Sequence, residues 1–280
     1  MKLTYLGTAT LALRIGETSL LTDPVFDAAG TTYDFGPWFV PRSWFASEKT
    51  YRTPAEPSTL GRFDGVLLSH DHHADNLDFA GRKLIADPAR VARVFTTPAS
   101  ARRLARPAAA VDAPGKGLGL TDRAVALGPS DAVRVGSVTI RATVARHGPF
   151  YAPRADEVTG FLLDVDAGPR IWISGDTVMF PALHRALEEI ARDRPVDVAV
   201  VHCGAVGFPR ALGFGHARFT FDAEEAVAAC RTLNAGLIVP VHRSGWAHFR
   251  QPETELMDAF DRAGLANRTR VLALGDSLEL

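Results

Sequence analysis

The amino-acid sequence predicts an α/β protein in which β-sheets are covered by helices. The opening residues alternate apolar and polar side chains as paired strands do, with a tight turn at Gly16. Further hairpin and strand patterns are then mixed with helical ones, an order that differs from the strict alternation of a doubly wound parallel sheet. Because 46% of the 280 residues are hydrophobic and 22% are charged, the chain can bury a large core.

Strands are predicted wherever alternating or continuous apolar runs lie between glycine, proline and polar turn residues. Two helices are also predicted, at 181–191 and at 223–233, and Asp222 and Glu225 give the second of them the spacing of a capping box. In chain order, the predicted strands are residues 3–6, 11–15, 19–22, 66–69, 133–135, 138–144, 160–165, 171–174, 196–201, 237–241 and 271–274.

The segment 26–60 has no sustained helical or strand period. Long irregular segments in compact domains are usually lids or binding loops. Packing of the segment onto the body of the protein or onto a second subunit is an equally good interpretation, and the sequence does not separate the two. No linker divides the chain, so residues 1–280 are predicted to form a single domain. The aromatic residues of the segment that suggest these roles are Trp38, Phe39, Trp44 and Phe45.

The charge balance argues against nucleic acid as a partner. Thirty-one basic and thirty-two acidic residues leave a net charge of −1, so the broad positive field that phosphate-backbone binding requires is missing. The first residues lack the features of a signal peptide, and no apolar run approaches the roughly 18 residues of a membrane span. Two cysteines are too few for a disulfide framework. We therefore expect a cytoplasmic protein that binds neither nucleic acid nor membrane.

The densest polar cluster is SHDHHADN at residues 69–76, directly after an apolar strand. So many imidazoles and carboxylates so close together would repel or desolvate one another in a core. A metal ion resolves this conflict, because neutral imidazole and carboxylate are natural metal ligands. The cluster therefore predicts a metal site.

Three later strands also end on potential ligands. Residues 138–144 lead to His147, residues 171–174 lead to Asp176, and residues 237–241 lead directly to His242. Catalytic groups held on loops at strand ends are a common way to assemble one site from distant parts of a chain. The repetition strengthens the prediction of a metal site.

Together these motifs resemble those of the metallo-β-lactamase superfamily, and most of all the branch that includes L-ascorbate-6-phosphate lactonase and related zinc-dependent hydrolases. The resemblance runs through the opening hairpin YLGTATLALRIGETSLLTDP, the cluster DGVLLSHDHHADNLD, and the segments HGP, SGDT and VPVH. It implies a four-layer αββα sandwich with a metal site at one edge, usually of two zinc ions and sometimes of iron or manganese.

The cluster departs from the family motif His-x-His-x-Asp-His by one extra residue. If the strand sets the register, His70 pairs with His72; if Asp75 sets it, His73 takes the second place. We favour His70 with His73 and keep His72 as a candidate. In a third register, Asp71 replaces a histidine.

Two further positions differ from the family. Asn76 stands where the family usually supplies a histidine to the second metal, and a neutral amide oxygen is a poorer ligand for zinc. The second site should therefore be weaker than the first. Thr8 stands where histidine often follows the opening glycine, and the sequence gives this change no functional meaning.

The residues suggest a division of labour. Asp176 would bridge two ions, and a metal-bound hydroxide would attack a carbonyl or phosphoryl centre. Asp75 or a nearby histidine would shuttle the proton, and His248 is a candidate acid or substrate contact. Catalytic roles are thus predicted for Asp75, Asp176 and His248. The predicted metal ligands are His70, His72, His73, Asp75, His147, Asp176 and His242.

The leading functional hypothesis is a metal-dependent hydrolase of a small molecule, with a lactone, ester, amide or phosphoester as its target. One or two Zn²⁺ ions are expected, with Mn²⁺ or Fe²⁺ as alternatives. The alternatives in function are a di-iron oxygenase or oxidoreductase on the same fold and a non-catalytic binding protein with a degenerate site. A homo-oligomer is compatible with the sequence. Among the other histidines, His184 is expected to be solvated. Either His202 or His216 could line the pocket, but structural hydrogen bonds are the favoured role for both.

Overall fold

The computed structural model describes residues 1–36, 45–108, 112–152, 154–207 and 217–280. Within these stretches the chain forms two large sheets, one small sheet and five helices. The strands are β1 (Lys2–Gly7), β2 (Thr10–Ile15), β3 (Thr18–Thr22), β4 (Thr32–Asp34), β5 (Ala46–Glu48), β6 (Gly65–Leu67), β7 (Val94–Thr96), β8 (Ala124–Ala126), β9 (Ala132–Val135), β10 (Val138–Val144), β11 (Thr159–Val165), β12 (Arg170–Ile173), β13 (Val198–His202), β14 (Leu237–Val241) and β15 (Ser277–Glu279). The helices are α1 (Phe79–Ala86), α2 (Pro98–Ala105), α3 (Pro181–Asp193), α4 (Ala223–Thr232) and α5 (Glu253–Arg262).

Both large sheets combine antiparallel hairpins with parallel strands. The first has the order β15-β1-β2-β3-β6-β7-β8, and its strands from β3 to β8 are parallel. The second has the order β14-β13-β12-β11-β10-β9, and β12, β13 and β14 are parallel. Parallel neighbours end at the same edge of a sheet, so the residues that follow β12, β13 and β14 are brought close together.

The core confirms the predicted four-layer αββα sandwich. Side chains alternate along β11, where Phe161 and Leu163 face the other sheet while Leu162 faces the helices. One apolar cluster fills the space between the two sheets. A second lies between the second sheet and α3, α4 and α5, and a third lies between the first sheet and α1 and α2.

Both predicted helices are present, and α4 begins as its sequence predicts. The carboxylate of Asp222 accepts a hydrogen bond of 2.9 Å from the backbone N–H of Glu225. Three helices were missed. Two of them, α1 and α2, are capped in the same way by Asp78 and Thr97, but each has only eight residues and a short apolar face.

The predicted strand 271–274 is wrong. Leu272 is buried in the core between the sheets, but the backbone turns directly afterwards, because Gly275 has a φ of +89° and the Asp276 carboxylate accepts a hydrogen bond from the N–H of Ala273. The final strand is instead β15, which pairs antiparallel with β1.

The segment 26–60 is more regular than expected, because β4 and β5 pair within it as a small antiparallel sheet. The predicted contacts of Trp38, Phe39 and Trp44 fall at 37–44, outside the described residues. Whether the segment is a lid or an interface stays a prediction, as does the single domain of residues 1–280. No helix in the described part of the chain is long and apolar enough to cross a membrane.

Candidate metal centre

The predicted ligands come together at one edge of the sandwich. Three of them follow strand ends at a distance of three residues: His70 after β6, His147 after β10 and Asp176 after β12. A fourth, His242, follows β14 directly. All four are buried, and His147, the least buried of them, has an exposed fraction of 6%. The rigid sheets therefore hold these side chains in place.

Three imidazoles form the first donor group. Nδ1 of His73 lies 3.0 Å from Nε2 of His70 and 3.0 Å from Nε2 of His147. Ligands of a tetrahedral zinc ion with its usual bond lengths lie about 3.3 Å apart. Burial, together with the neighbouring imidazoles, lowers the pKa of His70 and His73 well below the usual histidine value, so both rings are neutral and able to bind a metal.

Two carboxylates and an imidazole form the second donor group. Nε2 of His242 lies 3.3 Å from Oδ2 of Asp75 and 3.5 Å from Oδ2 of Asp176. Burial alone would lower the pKa of His242, but the two carboxylates outweigh burial and raise it. The two carboxylates therefore favour the charged form of the His242 ring.

Asp176 joins the two groups. Its carboxylate lies within 4.8 Å of donor atoms of His70 and His147 on one side and of Asp75 and His242 on the other. Burial opposes ionisation of Asp176, but His242 and His202 outweigh burial and lower its pKa. The carboxylate is therefore ionised between the two groups, where the sequence predicts a bridging ligand.

The structure distinguishes some of the alternative metal ligands in the cluster at residues 69–76. Asp71 is turned away toward Arg103, whose guanidinium donates to both of its carboxylate oxygens at 2.6–3.1 Å, so the third register has no structural support. His72 has a donor atom within 4.8 Å of His70 and His73. The choice between His72 and His73 stays a prediction, and the contact between His73 and His147 favours His73.

We expect His73→Ala to weaken metal binding by more than the roughly 10–100-fold that loss of an outer hydrogen-bond partner costs, because it removes a donor atom. His72→Ala is the matched control and should change affinity less than threefold. Chelator competition on both variants measures the difference. The opposite order would place His72 in the ligand set.

Asn76 is buried and faces both carboxylates. Because carboxylates only accept hydrogen bonds, its amide nitrogen is assigned to their side, where it donates to Asp176 at 3.1 Å and to Asp75 at 3.3 Å. Its oxygen then accepts from the hydroxyl of Ser69 at 3.3 Å. In this orientation Asn76 orders the carboxylates and offers no lone pair to a metal.

His248 lies next to the second donor group. Its Nε2 is 3.1 Å from Oδ2 of Asp75, and its Nδ1 is 2.5 Å from the hydroxyl of Ser47. Burial opposes ionisation of Asp75, but His242 and His248 hold its pKa well below the usual range. Phe35 packs on His248 with ring centroids 4.6 Å apart. The segment 26–60 therefore borders the site through Phe35 and Ser47.

His202 and Ser47 also lie near the site. His202, the last residue of β13, forms the structural hydrogen bond expected of it, and its partner is Asp176. The sequence did not identify this partner, although the strand-end position is the same signal that identified His147 and His242. Ser47 gave no signal, because the segment around it shows no period. His184 is exposed on α3 as expected, and His216 lies outside the described residues.

Thr8 has a clear structural role. Its carbonyl oxygen accepts a hydrogen bond of 2.6 Å from the backbone N–H of His242. Its hydroxyl lies 2.9 Å from the hydroxyl of Tyr51 and 3.2 Å from Nε1 of Trp246. The turn between β1 and β2 therefore supports the last ligand of the second sheet.

The chain is similar to known proteins over most of its length. A family model described as a beta-lactamase superfamily domain matches residues 18–243. A UPF0173 metal-dependent hydrolase of Desulfitobacterium hafniense is 27% identical over 230 residues, which cover 79% of this chain and 83% of that protein.

Solved structures show the same architecture. The isothiocyanate hydrolase from Delia radicum gut bacteria has a TM-score of 0.75 and 19% identity, covering 100% of this chain and 99% of that one. A possible metal-dependent hydrolase from Veillonella parvula has a TM-score of 0.77 and 16% identity, also covering 100% and 99%. At these identities the likeness concerns the fold, and it agrees with the predicted sandwich.

Proposed function

Because this chain belongs to the family of beta-lactamase superfamily domains and has the metallo-β-lactamase fold, we propose that it is a metal-dependent hydrolase of a small molecule. The observation that carries the proposal is the sharing of Asp176 by two adjoining donor groups. Such a centre can act on a lactone, ester, amide or phosphoester, because it activates water and polarises either kind of electrophile. Membership of the lactonase-like branch stays a prediction.

The donors fit a metal ion better than they fit one another. Nδ1 of His73 lies against nitrogens of both His70 and His147, although one ring nitrogen can form only one in-plane hydrogen bond. Both ring nitrogens of His242 are buried without a hydrogen-bond partner among the described residues. A cation would accept the lone pair of one nitrogen on each ring and would offset the charge of the carboxylates. We propose one or two zinc ions, and the same donors suit manganese or iron.

In this proposal, His70, His73 and His147 would hold a first ion, Asp75 and His242 would hold a second, and Asp176 is available to both donor groups. A bound divalent ion would supply a water molecule with a pKa near 7 and would polarise the bond to be broken.

The proton for the leaving group has a route through the chain itself. Asp75 would take a proton from the attacking water at Oδ2 and pass it to Nε2 of His248, 3.1 Å away, and His248 would deliver it to the leaving group. The contact with Ser47 orients the His248 ring for this transfer. These are the acid–base roles that the sequence predicts for Asp75 and His248, and both roles stay predictions.

Metal analysis of the purified protein, together with assays on lactones, phosphodiesters and activated esters, tests the proposal. We expect bound divalent metal and hydrolysis of at least one class that stops on chelation. Stoichiometric iron without hydrolysis would favour the oxygenase or oxidoreductase. A protein with neither metal nor turnover would contradict the hydrolase and favour a binding protein.

We also predict unequal occupancy in the parent protein, because position 76 carries an amide where an imidazole would bind. One ion should survive dialysis and the other should be lost or sub-stoichiometric. Asn76→His should raise the affinity for the second ion about tenfold or more, since this side chain already faces Asp75 and Asp176. Asn267→His, on the surface, is the matched control. Two ions of equal affinity in the parent would contradict this prediction.

A further inference from the structure

His202 occupies the middle position among three parallel strand ends. It closes β13, which pairs with β12 on one side and β14 on the other. These neighbours lead to Asp176 and His242, so the His202 side chain lies between the two. All three residues are fully buried. His202 is therefore placed to contact both Asp176 and His242.

The two oxygens of the Asp176 carboxylate have different partners. Nδ1 of His202 lies 2.8 Å from Oδ1 of Asp176, and since a carboxylate only accepts, the imidazole is the donor. The other oxygen, Oδ2, lies 3.5 Å from Nε2 of His242. Oδ1 is thus held by His202, whereas Oδ2 faces the second donor group and accepts the 3.1 Å hydrogen bond from the Asn76 amide.

The ring of His202 is fixed in turn by its surroundings. It stacks on His242 with an interplanar angle of 10° and a centroid distance of 5.5 Å. Its backbone N–H donates a hydrogen bond of 2.9 Å to the hydroxyl of Ser174, which directly follows the neighbouring strand β12. The donor at Nδ1 therefore has a single direction, toward Asp176.

We propose that His202 is a positioning residue that raises the affinity for the second ion. It does so by holding the Asp176 carboxylate with Oδ2 toward the second donor group. This inference rests on the proposed function and adds a residue to it. An outer partner that donates to a ligand orients that ligand before the ion arrives. This orientation matters more here than in a site with a full set of imidazoles, because Asn76 leaves the second ion dependent on Asp75, Asp176 and His242.

Two substitutions separate positioning from packing. His202→Leu keeps an apolar side chain of moderate size but removes the donor, whereas His202→Asn loses volume but keeps an N–H near the place of Nδ1. Chelator competition with zinc gives the affinity of each ion, and urea unfolding of the metal-free proteins gives their stability. We expect His202→Leu to weaken the second ion about 10–100-fold with the first unchanged, and His202→Asn to stay within about threefold of the parent.

His184→Leu removes an exposed histidine that belongs to neither donor group, so it is the control for a nonspecific effect of losing one imidazole. Parental affinity for both ions in His202→Leu would overturn the inference while leaving the proposed function intact. So would an equal loss in the Leu and Asn variants that follows their loss of stability, since packing would then explain it. A parent protein that binds none of zinc, manganese and iron would overturn the proposed function and the inference together.

Discussion

Asp176→Ala should reduce turnover to the limit of detection, a loss of roughly 1,000-fold or more in kcat, while the protein remains folded. The carboxylate lies within 4.8 Å of donor atoms of both groups, so its removal should misplace the reacting water and weaken at least one ion. The fold should survive, because the side chain belongs to the site and not to any of the apolar clusters. Kinetics on any substrate from the panel, with metal content and circular dichroism, measure the effect.

His184→Ala is the comparison for this substitution and should keep parental kinetics, since the residue is exposed on α3. Parental activity in Asp176→Ala on any substrate would show that the mechanism proposed here is wrong.

Removal of metal should lower the melting temperature by roughly 10 °C. An ion that binds the native state alone stabilises it by about 4 kcal/mol at a free concentration 1,000-fold above Kd. The stabilisation should be spread over both sheets, because the donors follow β6 in one and β10, β12 and β14 in the other. Scanning calorimetry before and after dialysis against a chelator gives the shift.

Restoring zinc, manganese or iron separates loss of metal from damage during chelation, since the best-fitting ion should return the transition to its original temperature. A metal-free protein that melts unchanged, and does not respond to any of the three, would contradict the site.

The strand predictions succeeded where apolar side chains continued long enough to fix a period. β10 and β14 have the predicted bounds because both are bounded by turns and carry a nearly unbroken buried face. β7 and β8 were missed because three residues cannot establish a period. The run 271–274 misled because its apolar residues resemble a strand, whereas Gly275 ends the extended backbone.

The site residues that could be predicted from the sequence are those that follow the ends of clearly patterned strands. His147, Asp176 and His242 follow strands whose pattern is clear, and the structure brings all three to one edge. The choice between His72 and His73 could not be made, because an extra residue in a loop is accommodated by backbone geometry that the local sequence does not encode. His202 was assigned a structural hydrogen bond, and only the pairing of β13 between its neighbours identifies Asp176 as the partner.

The bond between Thr8 and His242 joins two residues whose backbones are both strained. His242 has a φ of +51° and Thr8 a φ of +48°, a region that costs a residue with a side chain of order 1–3 kcal/mol. Each holds the other there through the 2.6 Å contact between the His242 N–H and the Thr8 carbonyl. The direction in which the last imidazole points is thus set by a turn more than 230 residues earlier, in the opposite sheet. The amino-terminal hairpin, which contributes no donor atom, is consequently part of what makes the centre rigid.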